Sequence, residues 1–298
     1  MMYRTGSFIA ALLFCFTTVA FAVAESNPQG DQQIMDFSLA GFGEKGKKAW
    51  DLAGKSADIS NDTIKLKNVV GNFYGQKEDV KLVSDKGDFN KQEALLHLED
   101  NVVITTSTGA KLTTDSLDWD RKKKLVSTDE VVNIEKNNLT AVSSGATGNP
   151  DLNVMTLTKD VRVEVAQEAG ALPSAAKDSI VITCDGPVQI DYAKNVAVFN
   201  KNVKVRKEDI KIDSDTMEVY FNNKKQEAEG IDAGLSASLM GGSIDKIISR
   251  GNVVITQGEN ISNSDEAIYD ARNRKITLSG QPKLILYSGE GMDASLGN

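Results

Sequence analysis

With 298 residues, 40% of them hydrophobic but only 6% aromatic, the chain is too apolar for disorder and must build its buried faces mostly from Val, Ile and Leu, which suits sheets. A formal net charge of −8 argues against binding a polyanion through bulk charge. The only cysteines are Cys15, inside an apolar N-terminal segment, and Cys184, so a disulfide framework is excluded.

Arg4 precedes an apolar run from Phe8 to Val23, and Ala22-Val23-Ala24 before Glu25-Ser26 has the small-x-small form of a signal-peptidase site. Residues 1–24 are therefore expected to be a cleaved signal segment, with an uncleaved anchor helix as the alternative, because about 17 apolar residues lie near the lower limit for a span. Phe14 is too bulky to precede a lipid-modified Cys15. Either way the body lies outside the cytoplasm. Glu25 to Gln33 reads as a leader, Gly41 to Gly46 as a turn cluster, and Lys48 to Ala53 as a first strand whose Trp50 is a core or rim aromatic.

Period-two alternation then continues almost without a break. Leu96 and Leu98, Val102 and Ile104, Leu117 and Trp119, and Val132 and Ile134 alternate with polar neighbours, as half-buried strands do. Turns are expected at Glu99-Asp100-Asn101, Ser107-Thr108-Gly109 and Asp120 to Lys123. That spacing predicts strands of six or seven residues, each about 20 Å long. Ser84-Asp85, Thr114-Asp115, Ser214-Asp215 and Ser264-Asp265 recur as one motif, with Ser144-Gly145 and Cys184-Asp185 as weaker copies. Asn101-Val102, Asp160-Val161, Asn202-Val203 and Asn252-Val253 recur as another, so the chain repeats a supersecondary unit. Two Gly/Ala/Ser-rich inserts interrupt the period, Ala166 to Asp178 and Gly230 to Ser243, and a joint between halves is placed at the first.

The plain explanation for the shared Asp and Asn is that their side chains bond nearby backbone at turns and bulges. A calcium site built from Asp118 and Asp120, or Asp213 and Asp215, lacks the ligand density such loops need. Arg121-Lys122-Lys123-Lys124 reads as a solvated hairpin tip. His97 is the single histidine and lies in an alternating strand. With no legible Ser-His-Asp set, Cys/His metal spacing or phosphate loop, the reading is no enzyme, no metal and no cofactor. Cys184 reads as a small buried apolar residue.

Asn252 to Gln257 (NVVITQ), followed by Ser264 to Asp270 (SDEAIYD), resembles the OstA-like repeat of the lipopolysaccharide-transport periplasmic proteins. Ile190-Asp191-Tyr192, Ala197 to Val203 and Asp213-Ser214-Asp215 resemble the same module one step earlier, so Ser179 to Tyr287 is similar to the LptA bridge component. Trp50-Asp51-Leu52, Ser84 to Gly87 and Thr114 to Asp120 carry a resemblance of about Phe37 to Val165 to LptC. The resemblance implies an LptC-like domain over 34–165 and an LptA/OstA-like domain over 179–290. The implied fold is all-β, a twisted, V-shaped antiparallel β-jellyroll, single or two stacked in tandem. The implied role is a non-catalytic periplasmic component of the lipopolysaccharide export bridge, tethered to the inner membrane if residues 8–24 are retained. Implied partners are lipopolysaccharide through its lipid A, inner-membrane ABC transporter components, other OstA-like proteins by edge-strand addition and the outer-membrane translocon, with no nucleic acid.

Physical chemistry points the same way. A dozen exposed methylenes cost on the order of 10 kcal/mol at about 0.8 kcal/mol each, so an acyl lipid needs a shielding trough, and alternating strands offer one. The groove-facing candidates in the first half are Phe89, Leu96, Leu98, Val102, Ile104, Leu117, Trp119, Val132, Ile134, Val161 and Val163. In the second half they are Val188, Ile190, Val203, Val205, Met217, Val219, Val253, Ile255, Ile276 and Leu278. Edge strands near Trp50 to Ala57 and at Lys283 to Tyr287 are expected to accept neighbours. The rival readings are a secreted β-helix that binds or cleaves polysaccharide, and a structural envelope scaffold with a closed core.

Overall fold

The structure, a computed structural model, describes residues 32–43, 46–75, 79–137, 139–149, 154–166, 179–222, 243–273 and 275–287. The signal or anchor segment, most of the leader, the centre of each insert and the expected joint after Ala166 lie outside the described residues. The first strands are β1 (Gln32–Phe42), β2 (Lys48–Ser60), β3 (Thr63–Tyr74), β4 (Asp79–Asn90), β5 (Leu95–Thr106), β6 (Lys111–Asp120), β7 (Leu125–Lys136), β8 (Leu139–Gly148) and β9 (Val154–Val165). After them come β10 (Ile180–Cys184), β11 (Val188–Asp191), β12 (Val196–Lys207), β13 (Ile210–Asn222), β14 (Ser243–Gln257), β15 (Asn260–Asp270), β16 (Lys275–Ser279) and β17 (Lys283–Ile285). Among the described residues no helix is long and apolar enough to cross a membrane.

Pairing follows the chain. Apart from β10 with β11 and β16 with β17, each strand pairs antiparallel with the next, and together they make one 17-stranded sheet. Short β10 and β11 lie end to end between β9 and β12, and β16 and β17 share β15. Across the first insert Val165 sits opposite Ile180, and across the second Asn222 sits opposite Ser243, so antiparallel pairing resumes on the far side of each, with one register shift at Tyr220/Phe221 beside the second. Antiparallel pairing throughout rules out a parallel β-helix.

The expected strand lengths need correction. Long strands run 10 to 15 residues, because Glu99-Asp100-Asn101 is a bend inside β5 and not a turn between strands. Val103 pairs with Val83 on one side of the bend and Glu99 with Lys86 on the other. Asp100 and Asn101 adopt φ of 61° and 53° there, a left-handed region that Asp and Asn enter more readily than other side chains. Asn68, Asp160, Lys201 and Asn202, then Gly251 and Asn252, do the same in β3, β9, β12 and β14. Gly251 is required, since a Cβ at its φ of 76° would fall 2.2 Å from the Asp215 carboxylate. The turns expected at Ser107 to Gly109 and Asp120 to Lys123 do connect strands.

At each bend one valine goes inward. Val69, Val102, Val132, Val161, Val203 and Val253 are each no more than 1% exposed. Their strand partners are Ser84, Thr114, Ser143, Cys184, Ser214 and Ser264. These small residues fill the inside of the crease, and several satisfy the backbone it strains. Ser84, Ser143 and Ser214 donate to the carbonyls of Lys86, Gly145 and Thr216 at 2.9, 3.0 and 3.1 Å. The Asp after the small residue accepts from the bend Asn of the following long strand: Asn101 to Asp85 at 2.7 Å, Asn202 to Asp185 at 3.4 Å and Asn252 to Asp215 at 2.9 Å. The two repeated motifs are thus the two sides of one fold line. Cys184 takes the Ser/Thr place on it, and burial pushes its thiol above the ordinary range.

Creasing every long strand at its middle turns the sheet back over itself. Leu96 and Ile104 would stand about 26 Å apart on a straight strand, yet both line one small cavity. The result is an antiparallel β-jellyroll of two facing layers. The core between them runs from Phe37 to Trp119 in one cluster and from Val132 to Ile244 in another, with Leu112 packed against both.

Outside the crease the sheet is charged. His97 projects outward from β5, its Nδ1 2.7 Å from Asp118 and its Nε2 3.0 Å from Glu99. The bond to Asp118, followed by that to Glu99, raises its pKa above the ordinary value despite partial burial. A raised folded pKa gives stability that is fully present below the unfolded value of about 6.5 and is lost as pH rises through the folded one. The imidazole should therefore titrate above about 6.5 in NMR, and Asp118→Asn should bring that midpoint down and remove most of this pH-dependent stability. A midpoint unchanged by the substitution would show that Asp118 is not the cause.

Candidate functional site: an apolar trough between the layers

Three cavities follow one another along the interior in chain order. The first, about 30 Å³, lies among Leu52, Phe73, Leu82, Leu96, Leu98, Leu117 and Trp119. The central one, about 80 Å³, is lined by Leu112, Ile134, Leu139, Leu157, Val163, Val188 and Phe199 among others. The third, about 150 Å³, is lined by Ile180, Ile182, Ile212, Met217, Val219, Ile247 and Ile255 among others. Ile104 borders both the first and the central cavity. The walls are mostly hydrocarbon, with Thr106, Lys111, Lys136 and Tyr192 on the central cavity and Lys207, Ser249, Gln257 and Tyr269 on the third. Those lysines stand at strand ends, opposite the crease and so at the mouth.

The groove-facing candidates divide by position on the strand. Leu96, Leu98, Ile104, Leu117 and Trp119 border the first cavity, and Ile134, Val163, Val188 and Ile190 the central one. Val205, Met217, Val219, Ile255 and Ile276 border the third, although Ile276 on β16 is 57% exposed. Val102, Val132, Val161, Val203 and Val253 face inward but pack in the crease and border none of these cavities. Phe89 and Leu278 are half-buried, and Phe89 packs against the first core cluster.

Several wall residues escaped the sequence reading, among them Leu139 with Ala141, Ile180 with Ile182, Ala197 with Phe199 and Ile210 with Ile212. Each pair carries the same period-two signal. The carboxylates weighed as a calcium site have protein partners: Asp118 holds His97, Asp120 accepts from the Lys123 backbone at 2.9 Å, Asp213 pairs with Arg206 at 2.7 Å and Asp215 holds Asn252. The basic tip, Arg121 to Lys124, is exposed as expected, and its first residue lies against rings. The Arg121 guanidinium lies 4.9 Å from the Trp50 ring centre, 5.7 Å from Trp119 and 5.8 Å from Phe89.

The first free edge lies further out than Trp50 to Ala57, because β1 pairs along β2 from Gln32 opposite Ile59 to Phe42 opposite Lys48. Beyond β1 nothing pairs among the described residues, and Ile34, Met35, Leu39 and Phe42 are exposed on it. At the other end Leu284, Ile285, Leu286 and Tyr287 are exposed at and just after β17.

A family model described as lipopolysaccharide-assembly, LptC-related, matches residues 8–166, more than half of the chain. A second, described as LptA/(LptD N-terminal domain) LPS transport protein, matches residues 187–293. Among solved structures, LptH of Pseudomonas aeruginosa is similar at 11% identity and a TM-score of 0.30, over 61% of this chain and 96% of that one. Its title describes the LptA homologous periplasmic component of the conserved lipopolysaccharide transport device. No curated protein sequence matches the chain. The chain belongs to the LptC-related family of lipopolysaccharide-assembly proteins and carries, C-terminal to that part, a transport module of the LptA and LptD N-terminal type, which gives it a role in lipopolysaccharide transport.

Proposed function

We propose that the chain is a non-catalytic segment of the lipopolysaccharide export bridge, shielding lipid A acyl chains in the trough while the sugar head stays in water. On this reading it works in the periplasm, tethered to the inner membrane if residues 8–24 are retained, and spans two roles, LptC-like over 34–165 and LptA-like over 179–290. The observation that carries the reading is the succession of mostly hydrocarbon cavities between the two layers, with lysines at the mouth of the central and third. A cavity of about 150 Å³ holds a guest no larger than benzene, so a whole acyl chain enters only if the layers spread at the mouth. The crease, bonded on both sides, is the hinge about which they would do so.

The exposed β1 and the β16–β17 end are the places where inner-membrane transporter components, other OstA-like proteins and the outer-membrane translocon would add strands. Each end offers unpaired backbone groups beside apolar side chains, the condition for β-augmentation. Contacts of this head-to-tail kind extend into open chains.

A photo-crosslinking residue at Leu117, Ile134 or Ile255 should capture lipopolysaccharide in cells exporting it, and one at the outward-facing Val142 should not. Crosslinks from Val142 with none from the other three would place the lipid outside the trough and end the proposal.

A further inference from the structure

Trp119 points to a particular place for the head end of such a lipid. Its side chain is only 9% exposed, and its indole Nε1 is buried without a hydrogen-bond partner. Buried donors are normally satisfied, and one left open in a cavity wall is a place for an acceptor brought from outside. Phe73 packs edge-on against it at 4.9 Å and Trp50 at 6.2 Å, and Gly41 leaves the room that Trp50 occupies. Directly above this aromatic group sits the Arg121 guanidinium. No carboxylate pairs with it among the described residues. Its backbone N–H donates to the Ala94 carbonyl at 3.1 Å, which fixes the tip in place. A guanidinium with its face against rings keeps its in-plane N–H groups free for the oxygens of a phosphate. The next three residues are lysines, in a chain whose net charge is −8.

Resting on the carrier reading above, we infer that Arg121 and Trp119 form a head-group subsite at the N-terminal end of the trough. The guanidinium takes a phosphate of the lipid, the Trp119 N–H takes the carbonyl of an acyl linkage, and the tail continues into the cavity beneath. The chemistry recognised is a phosphate attached to an acylated backbone, shared by phosphorylated glycolipids and glycerophospholipids.

The sequence has two tryptophans, Trp50 and Trp119, so an indole-¹⁵N-labelled full-length chain gives two side-chain signals, assigned with Trp50→Phe. Titration with diphosphorylated hexa-acyl glucosamine disaccharide should move the Trp119 signal downfield to saturation, and Arg121→Ala should weaken that binding by about tenfold, consistent with loss of charged hydrogen bonds. The dephosphorylated disaccharide should bind the wild type and Arg121→Ala alike, and Arg121→Lys should recover part of the preference. A parallel titration with phosphatidylglycerol tells which lipid the subsite takes, and a shift with either supports it. If the Trp119 signal stays still while Ile134 crosslinks lipid, the subsite is wrong and the trough stands. If neither responds, both are wrong.

Discussion

Val203→Asp is expected to leave the chain largely unfolded. Val203 is fully buried at the crease opposite Ser214, whose hydroxyl already donates to the Thr216 carbonyl. An unpaired buried charge costs several kcal/mol, enough to consume much of the roughly 5–15 kcal/mol that holds a typical domain. The neighbouring Lys204 is exposed on the other face, so Lys204→Asp should change stability by no more than about 0.5 kcal/mol. Urea denaturation followed by circular dichroism compares the two. Equal, small effects would mean that the valine line is not the fold line.

Phe199→Ala is expected to cost about 3–5 kcal/mol, the usual loss for truncating a buried aromatic. Phe199 is 1% exposed and forms part of the central cavity wall, so the substitution enlarges the space in which an acyl chain would lie. Lipid that fills this space binds the folded state alone. At a hundred times its dissociation constant it would restore about 2.7 kcal/mol. The thermal midpoint of the variant should therefore fall without lipid and recover in part with diphosphorylated hexa-acyl glucosamine disaccharide. Loss without any recovery, in a chain that also fails to crosslink lipid from Ile134, would mark Phe199 as ordinary core filling.

The inward and outward faces were legible because period two is written plainly in Val, Ile and Leu. Leu96 with Leu98 and Met217 with Val219 are inside, and His97 between the first pair is outside, as alternation requires. What alternation could not tell was that a strand continues through Asp100-Asn101. A left-handed pair inside a strand and a turn between strands use the same residues, so local chemistry fits both. Only the partner strand, pairing on either side of the bend, distinguishes them. The same ambiguity halved the strand lengths and hid the place of the valines, which pack in the crease and border none of the three cavities. Trp119 and Arg121 were visible as residues but not as neighbours of Trp50, because their meeting depends on the sheet closing over itself. Strand β1 was missed since only one of its residues, Phe37, is buried, which leaves no alternation to read.

Pairing each strand with its nearest one or two neighbours in the chain has a consequence for how such a molecule changes size. Stability in such an array is close to a sum of adjacent contributions, as in solenoids. Duplicating one hairpin would then add a rung without rewiring any other, and deleting one would bring two compatible rungs together. Joining two transport modules end to end calls for no new topology, only more of the same ladder.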